Sequence, residues 1–172
     1  MIEDQLIPIN ERQMSQEFLY TPEFKLFSFG EGEWVNEPDK VTFTHLGIKC
    51  EIIRIITPND FNHYFRGYFC GYCYCPLELK VDDFEIHGGI TYDEIENDGQ
   101  RKIGFDCGHS NDLIPSMKYL FENNSDLMGL PKYFARYLSF KRIYKNIEFA
   151  IEQCTNLANQ IIKSKEKNES II

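Results

Sequence analysis

The stretch "VTFTHLGIKCEIIRII", residues 41–56, alternates apolar and polar side chains on both sides of a glycine. Alternation with a period of two is typical of strands that bury one face, and the central glycine favours a turn. The stretch therefore predicts a hairpin of two strands. Three further stretches have the composition of strands: "FNHYFRGYFCGYCYCP" (61–76), "FEIHGGITY" (84–92) and "KIGFDC" (102–107).

The rest of the chain combines a loop with two helices. Residues 93–101, "DEIENDGQR", are polar and contain a turn-prone Asn-Asp-Gly sequence, which predicts a loop between two strands. Residues 116–126 predict a short helix. A long helix is predicted over about 132–163, because apolar side chains recur there at intervals of three and four and form one stripe. The stripe consists of Ile143, Ile147, Ala150, Cys154, Leu157 and Ile161.

Strands followed by a long helix predict an α+β domain, a small mixed or antiparallel sheet with the helical stripe covering one face. The same stripe could instead pair with its copy in a homodimer, since its spacing suits a coiled-coil seam. A seam of barely three heptads is marginal alone, which favours packing on the sheet. We predict a single domain over 41–163, an N-terminal extension packed on it over 1–40, and a disordered polar tail over 164–172.

Composition restricts the classes of function. The 172 residues include 27 acidic and 18 basic side chains, a formal net charge of -9 that repels phosphate backbones and anionic lipid. Broad nucleic-acid binding is therefore not expected. The start has no signal-peptide pattern, and no window approaches the roughly 18 apolar residues of a membrane-spanning helix. These features predict a cytoplasmic protein whose six cysteines are free thiols.

A cysteine-rich stretch, "CGYCYC" at 70–75, raises the question of a zinc site. Cys70 and Cys73 have the two-residue gap of metal-binding hairpins. In an extended strand, however, these two side chains point to opposite faces, and no second pair elsewhere completes a tetrahedral site. The sequence therefore favours cysteines that act as small buried hydrophobic residues.

The first candidate motif is "IHGGITY", residues 86–92. Adjacent glycines weaken a strand, so Gly88 and Gly89 suggest a bulge or a close approach of the backbone to a ligand or another strand. His87 precedes them, and imidazole exchanges protons near neutral pH. Thr91 and Tyr92 follow on the same element. The alternative is a hydrogen-bonded histidine beside a tight bend.

The second candidate motif is "IGFDCGHSND", residues 103–112. Alternation sends its apolar side chains toward the core and leaves Asp106 on the opposite face. His109 and Asp112 come just after the strand, where loops display the side chains of many functional sites. We therefore expect these three residues to converge with His87. The alternative is that the aspartates cap turns.

Two histidines with one or two carboxylates can perform two kinds of chemistry. They can bind a divalent transition metal with open positions, or they can act as a general acid and a general base. His87, Asp106 and His109 are the candidate catalytic residues, and the same three residues with Asp112 are the candidate metal ligands. A nucleophilic role for Cys107 ranks lower, because the strand phase places its thiol on the apolar side.

Positive charge near these motifs is limited to Arg66, Arg101 and Lys102, which would suffice to hold one phosphate group if they pointed inward. Glycine spacing typical of phosphate or dinucleotide loops is missing. The predicted ligand-binding residues are Arg66, Gly88, Gly89, Thr91, Tyr92 and Asp112, the last of which is also a candidate metal ligand.

The two motifs resemble those of an uncharacterised family of small proteins encoded by bacteriophages and prophages. The resemblance covers about residues 63–160 and differs at Gly108, where the family usually has alanine, and at Asn111, where glycine is common. It implies a phage setting and no particular reaction. The matching residues are Gly71, Tyr72, Pro76, His87, Gly88, Gly89, Thr91, Tyr92, Gly104, Phe105, Asp106, Cys107, His109 and Asp112.

Three functional interpretations follow. The leading one is a phage-type accessory protein, in host takeover or counter-defence, whose polar His/Asp pocket binds a small polar or nucleotide-like ligand. Whether it also hydrolyses the ligand, with His87 or His109 as acid or base, is left open. The second is a non-enzymatic inhibitor that binds a basic host protein through acidic stretches at 31–33 and 81–85. The third is a virion subunit that assembles through its C-terminal helix.

Overall fold

The computed structural model describes residues 14–56, 65–123 and 141–169. Within these ranges the chain forms six strands, three α-helices and one short 3-10 helix at Glu33–Val35. The strands are β1 Ser15–Glu17, β2 Lys40–His45, β3 Ile48–Arg54, β4 Phe69–Cys75, β5 Tyr92–Ile95 and β6 Arg101–Asp106. The helices are α1 Pro22–Phe29, α2 Pro115–Asn123 and α3 Ile147–Glu169.

All six strands belong to one sheet in the order β1-β2-β3-β4-β6-β5, and every neighbouring pair is antiparallel. The sheet and the long C-terminal helix confirm the prediction of an α+β fold. Because β1 pairs with β2, residues 15–17 of the N-terminal extension belong to the same sheet. None of the helices in the described ranges is long and apolar enough to cross a membrane.

The predicted hairpin is confirmed in β2 and β3. Its register pairs Val41 with Ile52 and so aligns apolar side chains of both strands on the core face. Leu46 and Gly47 join the strands with φ values of 48° and 81°. Positive φ at both positions is typical of the tight turn whose twist matches that of a hairpin.

The core lies between one face of the sheet and α3. Ala150, Cys154, Leu157 and Ile161, four members of the predicted stripe, are completely buried against apolar side chains of the central strands. The stripe therefore packs on the sheet of its own chain. Since these side chains are already covered, they do not form the exposed seam that the homodimer alternative requires.

Helix α3 begins later than predicted. Residues 132–140 lie outside the described residues, and 141–146 are not helical. The Asn146 side chain accepts a hydrogen bond from the Phe149 N–H at 3.0 Å and caps the helix, which explains its start. Ile143 was predicted to lie on the stripe, but it precedes the helix and is 61% exposed.

The polar tail differs from its prediction as well. Helix α3 continues through Glu169, so most of the tail predicted to be disordered is helical. Lysine and glutamate, which dominate this segment, are good helix formers even without apolar contacts. An apolar stripe therefore marks where this helix is buried and does not mark where it ends.

The prediction of a strand over residues 84–92 is wrong. A turn closes there with a hydrogen bond from the Gly89 N–H to the Ile86 oxygen, and both Gly88 (φ 70°) and Gly89 (φ 85°) are left-handed. Two such residues in succession cannot continue an extended strand. Strand β5 starts only at Tyr92 and runs to Ile95, so the predicted loop after it is shorter than expected.

Candidate metal centre

The two candidate motifs meet at one end of the sheet. His87 lies on the loop that leads into β5, and His109 and Asp112 lie on the loop that leaves β6. Strands β5 and β6 are antiparallel neighbours, so the start of one lies beside the end of the other. Sheet topology thereby brings together side chains that are more than 20 residues apart in the chain.

Three side chains form a compact cluster, which we call the His/Asp cluster: His87, His109 and Asp112. The His87 Nε2 lies 2.8 Å from the Asp112 Oδ2, and the His109 Nδ1 lies 3.4 Å from the same oxygen. The two imidazole rings are nearly perpendicular, with centroids 5.1 Å apart. One donor atom from each residue lies within 4.8 Å of the other two.

Asp112 is the buried member of the cluster, with a side chain only 1% exposed. Its Oδ2 also accepts the backbone N–H of His109 at 3.1 Å, and its own N–H donates to the His109 oxygen at 2.9 Å. These bonds hold the loop after β6 in a turn. The carboxylate therefore joins both histidines and the backbone of its own loop.

His87 is held in place by helix α3. The Gln153 Oε1 accepts the His87 backbone N–H at 3.1 Å, and the Phe149 ring meets the imidazole edge to face at 5.2 Å. Two residues earlier, the Gln160 side chain bonds both the N–H and the oxygen of Glu85 at 2.8 Å. The long helix therefore covers the core and also anchors the loop that carries a site residue.

Gly88 allows the two loops to approach each other. A Cβ atom at this position would lie 2.0 Å from the His109 imidazole, closer than any real contact. At Gly89 the same atom would meet nothing within 4 Å. The sequence predicted a close backbone approach at this pair of glycines. The partner at Gly88 is the second candidate histidine.

The His109 Nδ1 is buried and has no hydrogen-bond partner. It lies near two carboxylate oxygens, 3.4 Å from Asp112 and 3.7 Å from Asp106, without hydrogen-bond geometry to either. Leaving such an atom unsatisfied is costly, so the site calls for a further partner. Two ligand atoms bound to one zinc ion lie ~3.3 Å apart. The 3.4 Å between the His109 Nδ1 and the Asp112 Oδ2 is close to this value, and the 2.8 Å between the His87 Nε2 and the same oxygen is shorter.

Donor chemistry and spacing therefore fit a divalent transition metal. Two imidazoles and one carboxylate are a common ligand set for such ions and leave positions open for water or a ligand. In the part of the chain that the structure describes, this is the one group of three or more potential ligands that converges in this way. The cysteine stretch does not form such a group. The Cys73 sulfur lies in the core, 3.5 Å from the Cys50 sulfur, whereas Cys70 lines a cavity on the opposite face of the sheet.

Asp106 lies outside the His/Asp cluster but beside it. Its Oδ1 accepts the Gly108 N–H at 2.9 Å. Together with Gly108 it lines a cavity of about 310 Å³, which we call the aromatic cleft. The side chains most relevant to that cleft belong to Phe65, Tyr68, Tyr72, Thr91, Tyr92 and Asp106. Predicted site residues Thr91 and Tyr92 thus belong to the cleft and not to the His/Asp cluster.

Burial acts on three titratable groups of the cleft, Cys70, Tyr68 and Tyr72. It raises the pKa of the Cys70 thiol to about 12 and holds the pKa of the Tyr68 and Tyr72 phenols well above their ordinary value. These groups are therefore uncharged near neutral pH. Among the described residues that line the cleft, none is Glu, Lys, Arg or His, and Asp106 is the only Asp.

The cations that the sequence proposed for a phosphate do not line the cleft. Arg101 forms two bonds to the Asp93 carboxylate at 2.7 and 2.8 Å, and Lys102 lies 2.7 Å from the Glu51 Oε1. Arg66 belongs to the loop before β4 and donates its backbone N–H to a side chain of α2. Arg101 thus pairs with a carboxylate of the neighbouring strand β5, and Lys102 with one of β3 on the far side of β4, so the expected phosphate site is not formed.

A nucleophilic cysteine is also disfavoured at this site. Cys107 is 1% exposed and faces the core, as the alternation predicted. Burial raises the pKa of its thiol well above the ordinary value, and the protonated thiol is a poor nucleophile. The chemistry of the site therefore depends on histidine and carboxylate.

Sequence reasoning missed two parts of the site. The first is the support from α3, through Phe149 and Gln153, which had no signal because neither residue is near the motifs in sequence. The second is the part of the cleft lining that Tyr68 and Tyr72 form beside the predicted Tyr92. Its signal was present, because Tyr68 and Tyr72 share a strand face with Cys70, opposite the core.

Comparison with models of known protein families, with curated protein sequences and with solved structures gave no significant match.

Proposed function

We propose that His87, His109 and Asp112 bind one divalent transition-metal ion, and that the protein uses this ion to hydrolyse a small polar ligand held in the aromatic cleft. The observation that supports this proposal is the convergence of three donor atoms within 4.8 Å, one of them a buried imidazole nitrogen without a hydrogen-bond partner.

Each residue has a distinct part in this function. His87 and His109 supply neutral nitrogen ligands, and Asp112 supplies a buried carboxylate already oriented by the His109 N–H. A divalent ion held there supplies a Lewis acid and a water nucleophile active near neutral pH. Asp106, 3.7 Å from the His109 Nδ1, orients the ligand between the cleft and the cluster. Hydrolysis transfers the hydroxide of water to the electrophilic atom and its proton to the leaving group.

A second candidate function is metal-free acid–base catalysis. It is favoured by the 2.8 Å hydrogen bond between the His87 Nε2 and the Asp112 Oδ2, an arrangement that orients an imidazole for proton transfer. In this case His87 activates water directly. Insensitivity of the activity to a chelator separates this candidate from the first.

The biological setting that we propose is a phage protein acting in host takeover or counter-defence. It is supported by the likeness of the two motifs to those of the phage family. The chemical proposal does not depend on it.

The proposal is tested by metal content and metal titration of untagged full-length protein. We expect about one ion per chain by elemental mass spectrometry, and saturable binding of Zn²⁺ and Co²⁺ to the stripped protein. His87→Ala and His109→Ala should each weaken binding more than about 100-fold, because even the loss of an outer partner of a ligand costs 10–100-fold. With 4-nitrophenyl acetate as a probe, the metal-loaded protein should release nitrophenol and the His109→Ala variant should not.

The matched control is His45→Gln. His45 is also buried and hydrogen-bonded, through its Nε2 to the Asn159 side chain at 2.7 Å, but it belongs to β2 and not to the His/Asp cluster. Metal binding should survive this change. A wild-type protein that neither contains nor binds metal, or equal losses in the control and in the cluster variants, would contradict the proposal.

A further inference from the structure

We propose that the aromatic cleft binds a small organic ammonium cation, which forms the charged end of the molecule that the adjoining site hydrolyses. The second half of this statement rests on the proposed function, whereas the binding of the cation does not. The inference replaces the nucleotide-like ligand expected from the sequence with a ligand of opposite charge.

The lining of the cleft is rich in aromatic rings. Tyr72 and Tyr92 meet at a ring-centroid distance of 5.2 Å and an interplanar angle of 80°, and Tyr68 and Phe65 line the same cavity. The faces of aromatic rings are electron-rich and attract cations within about 6 Å. Rings set nearly at right angles present such faces from more than one direction, as in the aromatic cages that bind alkylammonium groups.

The charge of the cleft selects the same ligand. Asp106 contributes a carboxylate, and among the described residues no lysine or arginine nitrogen lies within 4.0 Å of it. Its one ion-pair neighbour in these ranges is the His109 Nδ1 at 3.7 Å. A carboxylate among neutral rings attracts a cation and repels phosphate or carboxylate ligands.

Lys102 does not reverse this field. Its Nζ lies 4.4 Å from the Tyr72 ring centroid, so it covers part of that ring from outside the cleft lining. The Glu51 carboxylate neutralises this charge at 2.7 Å. The contact demonstrates instead that the Tyr72 ring already takes part in a cation–π interaction.

The size and position of the cleft also favour an ammonium ligand. A cavity of about 310 Å³ is at the small end of ligand pockets and has room for a trimethylammonium-sized head group. Gly108 lines the cleft and directly precedes His109, and Asp106 touches both. A cation held against Asp106 therefore places the atoms bonded to it toward the His/Asp cluster.

The test is titration of chelator-treated full-length protein with tetramethylammonium chloride, followed by NMR shifts of the tyrosine rings. We expect saturable binding, and much weaker binding of tert-butanol, a neutral molecule of similar shape, or of inorganic phosphate. Asp106→Asn, which keeps the acceptor for the Gly108 N–H, should weaken binding about tenfold. Asp83→Asn, an exposed carboxylate outside the described lining, serves as the control and should change nothing.

A second pair of variants does not depend on Asp106. Tyr92→Phe keeps the ring and should retain binding, whereas Tyr92→Ala on the short edge strand β5 should weaken it. Equal binding of the cation and tert-butanol, preference for phosphate, or unchanged affinity in both Asp106→Asn and Tyr92→Ala overturns the inference. Metal binding without cation binding refutes this inference alone, and cation binding without metal binding refutes the proposed function alone.

Discussion

Two adjacent glycines at the site differ in what their missing side chains allow. Gly88 and Gly89 both have positive φ, so both avoid the strain that an L side chain meets in this region. Only Gly88 also faces another residue at short range, the His109 imidazole. A comparison of the two positions therefore distinguishes the effect of backbone strain, present at both, from the effect of steric contact, present only at Gly88.

Alanine substitution at each glycine measures that difference. Gly88→Ala and Gly89→Ala should both cost about 1 kcal/mol of unfolding free energy from backbone strain. Gly88→Ala should in addition displace His109, lowering metal affinity and destabilising the protein further. Urea denaturation and Zn²⁺ titration of both variants check this expectation. Identical effects of the two changes would show that the approach of Gly88 to His109 has no importance.

At the scale of elements, the sheet surface opposite α3 is joined by charges across strands. Glu51 of β3 lies between Lys102 of β6, at 2.7 Å, and Lys40 of β2, at 3.5 Å. Partial burial opposes ionisation of the Glu51 carboxyl, but the two lysines outweigh it and hold its pKa below the ordinary value of 4.5. The ion pairs therefore connect three strands of the sheet.

This lowered pKa predicts how stability depends on pH. A carboxyl whose pKa is lower in the folded state stabilises the fold above its unfolded pKa, and this contribution is lost as pH falls through its folded pKa. Glu51→Gln should therefore cost about 1 kcal/mol near pH 6 and less near pH 3. Urea denaturation at several pH values measures the difference. Glu94→Gln, on an exposed position of β5, is the control, and a pH-independent gap between wild type and Glu51→Gln would refute the explanation.

The elements also show which sequence patterns were informative. Alternation in β2, β3 and β6 and the stripe of α3 predicted the buried residues, because each pattern reports which face of an element avoids water. Residues 84–92 misled for a physical reason. Their apolar side chains are compatible with a strand, but Gly88 and Gly89 take left-handed conformations in a turn, and Gly88 packs against His109, a residue distant in sequence.

At the scale of the whole molecule, α3 connects the core to the site. One face of the helix buries Leu157 in the core, and a neighbouring position presents Gln153 to the backbone of His87. Stability and site geometry therefore depend on different side chains of one helix. This arrangement allows the two contributions to be measured separately.

Two substitutions in α3 should have contrasting effects. Leu157→Ala should lower the unfolding free energy by about 2–5 kcal/mol, because it leaves a cavity in the core. Gln153→Ala should change stability little but weaken metal binding about tenfold, since it frees the loop that carries His87. Glu152→Ala, on the exposed face, should affect neither. Thermal unfolding and Zn²⁺ titration test all three, and a Gln153→Ala variant with unchanged affinity would show that the helix does not orient His87.

The sequence by itself determined the local features of this protein: the hairpin, the central strands, the buried stripe of α3, the core-facing Cys107 and the four candidate polar residues. These follow from side-chain periodicity, which depends on near neighbours in the chain. Tertiary structure decided that His87, His109 and Asp112 meet, that Asp106 instead faces a cleft of tyrosines, and that Arg101 and Lys102 pair within the sheet. Such outcomes depend on strand order and on contacts between distant segments, so no local pattern encodes them.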